Sequence, residues 1–497
     1  MMSTHRSRQT LLQRFCFACL ALSLVACATR TVNPKIDAST HNTDPFGLLG
    51  QEAHDKKTIA VLAFSGGGTR AAAFSYGVLE TLRDIEVKNG QGETARLLDA
   101  VDVITGVSGG SFTALAYRLH GDRLFDIYEQ AFLKRDIQGE LIAGVFNPSN
   151  WGDLLSDGWG RSEMAANLYD EVLFKGATFG DLKKTNGPLI VVSATDIQSG
   201  TRIQFSPHDF SILCTDLNQF RLARAAAASS AVPVILSPLT INNYAGTCGL
   251  EAPEWVTYYR SMKHPPRAAL KTLDRIQALN RLNAANNPYL HLVDGGISDN
   301  LGVRGGLDLL NLLEALRDAG HKTRLDGIEN IVVFVVNSLS DPKLGWNKRE
   351  NGPGAIDLMI QAAGVPIDHY SSEQINELED IAARWHNVNA IKKTPEFQKL
   401  LKMRPELDAA KRMDLTPNAR VYVINVAFSE LQDPDERAYL NNLPTSFVLA
   451  PEQVDRLRSS AKAIILNSTE FQRLMRDLSL NIIPQTGQKT GAAEPDR

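Results

Sequence analysis

Six short apolar runs recur along the chain, with helical patterns in the intervals between them: Ile59–Phe64, Val101–Thr105, Leu189–Ser193, Tyr289–Val293, Ile331–Val336 and Val421–Val426. Runs of five or six largely β-branched residues need burial on both faces, which a strand finds inside a sheet covered by helices on each side. The alternation therefore predicts an α/β, three-layer fold around a mostly parallel central sheet, with helical insertions where it lapses. In such sheets ligands sit beyond the carboxyl ends of the strands, so the residues after each run are where chemistry is sought.

The ends of the chain carry a different signal. Arg6, Arg8 and Arg14 precede Phe15–Ala26, a mostly apolar stretch too short to cross a bilayer core as a helix, so residues 1–26 read as a secretory signal. The stretch ends in Leu24-Val25-Ala26-Cys27, which is similar to the lipobox of bacterial lipoproteins and makes Cys27 the expected lipidation site. A lipid there would hold the protein on a membrane without a spanning helix, each buried CH₂ contributing roughly 0.8 kcal/mol. Ala28, in place of an aspartate, favours the cell envelope at the periplasmic face of the outer membrane. An ordinary signal with a chance cysteine is the alternative. Cleavage before Cys27 removes three arginines and no acid, taking the formal charge from −4 to −7 and arguing against nucleic acid as a partner.

Residues 27–57 are polar and without period, predicting a flexible tether. The core is expected over 58–336, with an insertion at about 250–288. Residues 337–482 supply a helical insertion, including a helix over 371–385, and then a strand and helix that complete the core. Residues 483–497 read as a disordered tail. Once the signal is gone and Cys27 is lipidated, Cys214 and Cys248 remain. In an oxidising compartment they form a possible disulfide; two separate thiols fit the spacing equally.

After the first run comes Ser65-Gly66-Gly67-Gly68-Thr69-Arg70, opening a helix of small residues. Glycine N–H groups at a helix start suit an anion, either as a phosphate cradle or as an oxyanion hole, although the Lys-Ser/Thr of a P-loop is missing. The second run leads into Gly106-Val107-Ser108-Gly109-Gly110 and another helix, the strand-turn-helix setting of a nucleophile elbow. Gly-x-Ser-x-Gly alone arises by chance in roughly one unrelated chain in six of this length, so the setting marks Ser108 more than the pattern does. A serine hydroxyl needs a base. The later histidines are His120, His208, His264, His291, His321, His369 and His386; none stands in a short loop directly after a run. Asp294-Gly295-Gly296 follows the fourth run. Asp-Gly-Gly is an ordinary turn signal, and a carboxylate needs desolvation to serve as a useful base near neutral pH.

Together, in this order, Gly66-Gly-Gly-x-Arg70, Gly106-x-Ser108-Gly-Gly110 and Asp294-Gly-Gly296, with Ala228-Ser-Ser-Ala-Val-Pro233 ahead of the last, resemble the patatin-like phospholipase family over about residues 58–310. The resemblance implies a Ser108-Asp294 dyad without histidine, an oxyanion hole from Gly66, Gly67 and Gly68, and Arg70 as a residue that orients the loop or meets a phosphate. Ala71 departs from the family, where glycine is common at that position. Asp299 and Asn300 are expected to fix the loop. The implied substrate is a membrane phospholipid or lysophospholipid, with no cofactor and no metal. Trp151 and Trp159 mark either an interfacial lid or tryptophans packed beneath an insertion. Two other readings stay open: an esterase with a Ser-His-Asp triad, and a lipoprotein that binds lipid or a partner without catalysis.

Overall fold

A computed structural model describes residues 30–36, 57–88, 93–154, 156, 159–233, 235–340, 346–348, 350–404 and 407–483. The expected signal, Cys27 and nearly all of the expected tail lie outside the described residues. The strands are β1 (Thr58–Phe64), β2 (Glu86–Lys88), β3 (Thr94–Arg96), β4 (Val103–Val107), β5 (Leu189–Asp196), β6 (Arg202–Phe205), β7 (Leu239–Asn242), β8 (Tyr289–Asp294), β9 (Asn330–Asn337), β10 (Arg420–Ala427) and β11 (Asn481–Ile482). The six apolar runs all fall on strands of one eight-stranded sheet, which adds β6 and β7; β11, β2 and β3 form a second, small sheet. The helices that frame the site are α1 (Gly68–Asp84), α2 (Gly109–His120), α3 (Ile137–Phe146), α4 (Arg161–Tyr169), α5 (Leu222–Ser229), α6 (Glu254–Ser261), α7 (Arg267–Asn280), α8 (Val303–Asp318), α9 (Ala355–Lys392) and α10 (Pro451–Asn467).

Strands β10, β9, β1, β4 and β5 pair in parallel in that order. Strands β8 and β6 run antiparallel to β5, and β7 antiparallel to β8. The rule that chemistry lies beyond one shared end of a parallel sheet thus holds for Ser108 and needs correction for Asp294. The register supplies the reason. Strand β6 pairs with Val192–Thr195 of β5, so β4 and β8 must both use the opposite edge. There β4 ends with Val107 against Ser193, and β8, arriving from the other direction, ends with Asp294 against Ala194. The carboxyl ends of the two strands therefore meet in one lane.

Alternating side chains send the sheet's apolar residues to two cores. Leu62, Phe64, Ile104 and Val192 join the larger one beneath α1, α2, α5 and α10. Ile59, Ala63, Ile331 and Val333 join a second one beneath α8 and α9. The insertion at 250–288 forms α6 and α7, whose Trp255, Tyr259 and Ile276 pack on Leu312 and Ala315 of α8. Both insertions therefore build the layer over the second face.

The tether expectation is corrected at residues 30–36. Asn33 is buried, its amide donating to the Asn242 carbonyl at 2.9 Å, while Asp216 N–H donates to the Pro34 carbonyl and Ile36 N–H to the Cys214 carbonyl. Buried backbone and amide groups need partners, and this short segment supplies them along the β7 edge. Cys214 and Cys248 form a disulfide beside it.

Candidate active site

Ser108 occupies the turn between β4 and α2 with φ of 48° and ψ of −120°. A non-glycine residue in this region is strained and persists only where its surroundings fix it. Small neighbours are required by packing: a Cβ on Gly106 would lie 2.8 Å from Ser111 Cα, and one on Gly110 2.7 Å from the Phe64 carbonyl oxygen. The Ser108 N–H donates to Ser229 Oγ at 2.9 Å, and Ser229 Oγ donates onward to the Ser193 carbonyl at 2.7 Å. Ser229 closes α5, whose Arg224 is locked by a buried ion pair with Glu163 of α4.

Asp294 is fastened to the same segment. Its N–H donates to the Ala231 carbonyl, and Gly295 N–H donates to the Ser229 carbonyl, both at 3.0 Å. One stretch, Ser229–Ala231, thus holds the backbone of both loops. The Asp294 carboxylate accepts from Gly296 N–H at 2.7 Å, and the neighbouring Ser108 side chain favours its charged form. Burial pushes its pKa up to about 6, with the Gly296 N–H and the Ser108 side chain pulling it down. A carboxyl group so placed can exchange a proton with the serine near neutral pH.

The glycine loop closes the other side. A Cβ on Gly66 would sit 2.5 Å from Asn300 Oδ1 and 3.3 Å from Ser108 Cβ, so a side chain here would displace Asn300 and crowd the serine. The expected oxyanion hole is corrected at one donor: Gly66 N–H is already given to the Asn300 carbonyl at 2.9 Å. Gly67 and Gly68, with φ of 137° and 62°, present N–H groups for which no partner exists among the described residues. The same is true of Gly109 at the start of α2, where the first N–H groups of a helix lack intrahelical acceptors. Arg70 is buried; its Nε donates to the Ser338 carbonyl at 2.8 Å and one terminal nitrogen to the Leu443 carbonyl at 2.7 Å. It braces the loop. Asp299 is buried within reach of Arg202 and accepts from Arg304 N–H at 3.1 Å, fixing the stretch after Asp294.

Among the described residues no histidine is hydrogen-bonded to Ser108 or Asp294. His120 bonds the Leu173 carbonyl, His208 pairs with Asp209, and His291 meets Thr240. The two tryptophans divide between the readings given above: Trp159 packs against the core, while Trp151 is exposed, as are Ile142 and Phe146 of α3. The sequence reading had no role for Ser229, Gly109 or Ser338. Ser229 lies in the Ala-Ser-Ser stretch ahead of Asp294, and Ser338 directly follows the fifth run, where the strand-end rule directs attention.

Residues 62–306 match the family model of patatin-like phospholipase. No curated protein matches the chain. Among solved structures, human GIVD cytosolic phospholipase A2 is similar at a TM-score of 0.38 and 12% identity, covering 88% of this chain and 64% of that one. The complex of SpcU with ExoU from the type III secretion system of Pseudomonas aeruginosa matches at a TM-score of 0.20 and 13% identity, covering 86% and 91%. The chain therefore spans less than two thirds of the length of the human enzyme it matches.

Proposed function

Residues 62–306 form a patatin-like phospholipase domain, and on that footing we propose that the protein is a membrane-tethered serine acyl hydrolase that cleaves lipid carboxylic esters, of phospholipase A or lysophospholipase type. The observation that carries the reading is that the strands leading to Ser108 and to the buried Asp294 stop side by side against Ser193 and Ala194, with the Ser229–Ala231 stretch holding the backbone of both. Ser108 Oγ attacks the ester carbonyl carbon while its proton passes to Asp294. The N–H groups of Gly67, Gly68 and Gly109 hold the oxyanion; losing one such donor typically costs about 3 kcal/mol in the barrier. The tetrahedral adduct collapses as the ester C–O bond breaks, and the leaving alkoxide takes the proton from Asp294. Water then gives a proton to Asp294 and attacks the acyl-serine, releasing a fatty acid and restoring the Ser108 hydroxyl.

Tethering rests on Cys27 as the lipidated residue. Because residues 30–36 are seated on the body, only Ala28 and Thr29 separate Cys27 from the described strap. A lipid there would hold the folded domain close to the bilayer, with Ile142, Phe146 and Trp151 available to dip into it. The disulfide is consistent with an oxidising compartment, as the periplasmic face of the outer membrane would be.

The test is incubation of wild type, Ser108→Ala and Asp294→Asn with a mixed phospholipid extract, reading released fatty acids by mass spectrometry. Release by wild type and its loss in both variants is the expected result. Full activity of Asp294→Asn would remove the dyad, and no release by wild type would remove the hydrolase.

A further inference from the structure

The strap at residues 30–36 bridges two parts of the surface that are distant in sequence. At one end Asn242 N–H donates to Asn33 Oδ1 at 2.7 Å and the Tyr244 hydroxyl donates to the Asn33 carbonyl at 3.0 Å. Arg30 donates to the Asn242 side chain, and its guanidinium lies 5.0 Å from the centre of the Tyr289 ring. At the other end Lys35 bridges to Thr215, and Ile36 N–H reaches the Cys214 carbonyl at 3.0 Å. The Cys214–Cys248 disulfide joins the two segments that the strap spans, one on each side of it. Backbone and amide groups buried in this way are exchanged for water only by undoing the whole set, so the strap moves with the body.

Strand pairing fixes the side of the molecule on which the strap begins. Strand β8 runs against β5 with Asp294 opposite Ala194 and Leu292 opposite Asp196, the last residue of β5. Tyr289, with Asn242 paired to it, therefore projects past the carboxyl end of β5. From Asp294 to Tyr289 is roughly 17 Å at strand spacing. Ser108 leaves β4 towards the same side.

Chain length then limits what can lie beyond the strap. Cys27 precedes Arg30 by three residues, which reach at most roughly 11 Å. Whatever holds Cys27 stands that close to Arg30 and Tyr289. Around this point Val32, Ile197 and Tyr289 are exposed, with the cations Arg30 and Lys35 beside them on the strap. Aliphatic groups, a tyrosine ring and long basic side chains together suit the level of lipid head groups.

We propose that the strap is a rigid mount, which seats Val32, Ile197 and Tyr289 on the bilayer that holds Cys27 and turns the Ser108 end of the sheet towards the lipid. This rests on the lipidated Cys27 proposed above and adds the contact surface and the orientation.

The experiment uses the full chain, expressed with its signal and carrying Ser108→Ala to spare the lipid, reconstituted in vesicles of phosphatidylcholine and phosphatidylglycerol brominated on the acyl chains. Tyr289→Trp and Glu329→Trp each add one fluorophore, read as the difference from the parent; Glu329 is exposed at the amino end of β9, across the sheet from the strap. Bromine should remove most of the emission added at position 289 and none of that added at 329. Asn33→Ala, combined with Tyr289→Trp, should restore the emission while the protein stays on the vesicles. Circular dichroism reads folding, and Tyr244→Phe, which removes one bond to the strap, decides in place of an unfolded Asn33→Ala. Equal quenching at the two positions, or none at 289, overturns the surface. Quenching that survives both strap variants overturns the mount. Mass spectrometry of the N-terminal peptide reads the tether separately: an unmodified Cys27 overturns tether and mount together, whereas a lipidated Cys27 without quenching at 289 leaves the tether standing and overturns the mount alone.

Discussion

Each face of the sheet is covered by a helix that carries a glycine, Gly77 in the middle of α1 and Gly306 in the first turn of α8, and the two have opposite surroundings. On the first face, a Cβ on Gly77 of α1 would come within 2.6 Å of the Cα of Arg458 in α10 and 2.7 Å of its carbonyl oxygen. On the second, a Cβ on Gly306 of α8 would meet nothing within 4 Å. A glycine in a helix interior costs about 1 kcal/mol relative to alanine, and in a first turn up to that, so each position needs a reason. At Gly77 the reason is backbone-to-backbone packing; at Gly306 it is space left over the sheet. Ser108 opens α2, Ser229 closes α5 and Gly68 opens α1, all in the tightly packed layer. Rigidity is therefore concentrated where a strained serine must be held, and room is left where the proposed reaction does not take place.

The substitution expected to do most damage tests whether that rigidity serves the site. A Cβ on Gly109 would fall on the Gly68 carbonyl oxygen, at the contact where the two glycine loops touch. Backbone cannot yield as a flexible side chain does, so Gly109→Ala should force the loops apart. Turnover should fall by about a thousandfold or more, equivalent to roughly 4 kcal/mol in the barrier. Near-wild-type fatty-acid release would mean the first face is softer than its contacts imply. Gly77→Ala comes next: overpacking against Arg458 backbone should outweigh the gain in helix propensity and cost about 2–3 kcal/mol of stability, read by denaturant unfolding. A neutral result would erase the contrast between the faces.

What the sequence made legible follows the same division. Strand positions, the serine turn and the aspartate loop could be read because unbroken apolar runs and glycine clusters are local signals. Strand β8 is a different case. Its run Tyr289–Val293 specifies a strand but carries nothing about direction, which is set by pairing with residues about a hundred positions earlier in β5. The loss of Gly66 as a donor is equally non-local, since its N–H is taken by the Asn300 carbonyl. The space beside Gly306 depends on two insertions packing behind α8, and Gly305-Gly306 in the sequence reads only as a weak point in a helix. Residues 30–36 look like any polar linker until Asn33 finds Asn242 and Thr215.

Asp294 joins the comparison through pH. Its folded pKa of about 6 lies above the ordinary 3.8, so the fold favours the protonated acid. This group's contribution to stability is therefore fully present below about pH 4 and is lost as pH rises through 6. The loss amounts to about 3 kcal/mol at 1.36 kcal/mol per pKa unit. Asp294→Asn should accordingly unfold at a higher temperature than wild type at pH 8, with the difference shrinking towards pH 4. Turnover moves the other way, because the proposed base works ionised: kcat/KM should drop about tenfold per unit below pH 6 and level off above it. A flat profile from pH 5 to 8 would take Asp294 out of the proposed reaction.

Ser229→Ala tests the clamp more gently. It removes the acceptor for the Ser108 N–H and the donor to the Ser193 carbonyl, leaving two buried groups unsatisfied. The expected cost is about 1–3 kcal/mol, felt in kcat more than in KM because the serine is displaced without any change in the acyl pocket. Ser229→Thr keeps the hydroxyl and should recover much of the loss. A Ser229→Ala enzyme with normal kcat and lower stability would make the clamp a matter of folding alone.

The smallest effect belongs to the second face and has the opposite sign. Alanine at Gly306 gains helix propensity and meets no neighbour, so Gly306→Ala should stabilise the protein by up to about 1 kcal/mol in thermal unfolding. Gly305, one residue earlier, is the internal control. A Cβ there would fall on the amide of Gln204, the far end of a flexible side chain, so the gain should be partly spent in moving it. Gly305→Ala is therefore expected near neutral, below Gly306→Ala and well above Gly77→Ala. If Gly306→Ala instead destabilises, α8 sits closer to the sheet than the open space at Gly306 implies, and the two faces differ only in which residues pack them. If the three fall in the expected order, the contrast belongs to the fold itself, because Gly305 and Gly306 share the first turn of α8 and differ only in what a Cβ would meet, while Gly77 faces backbone it cannot displace.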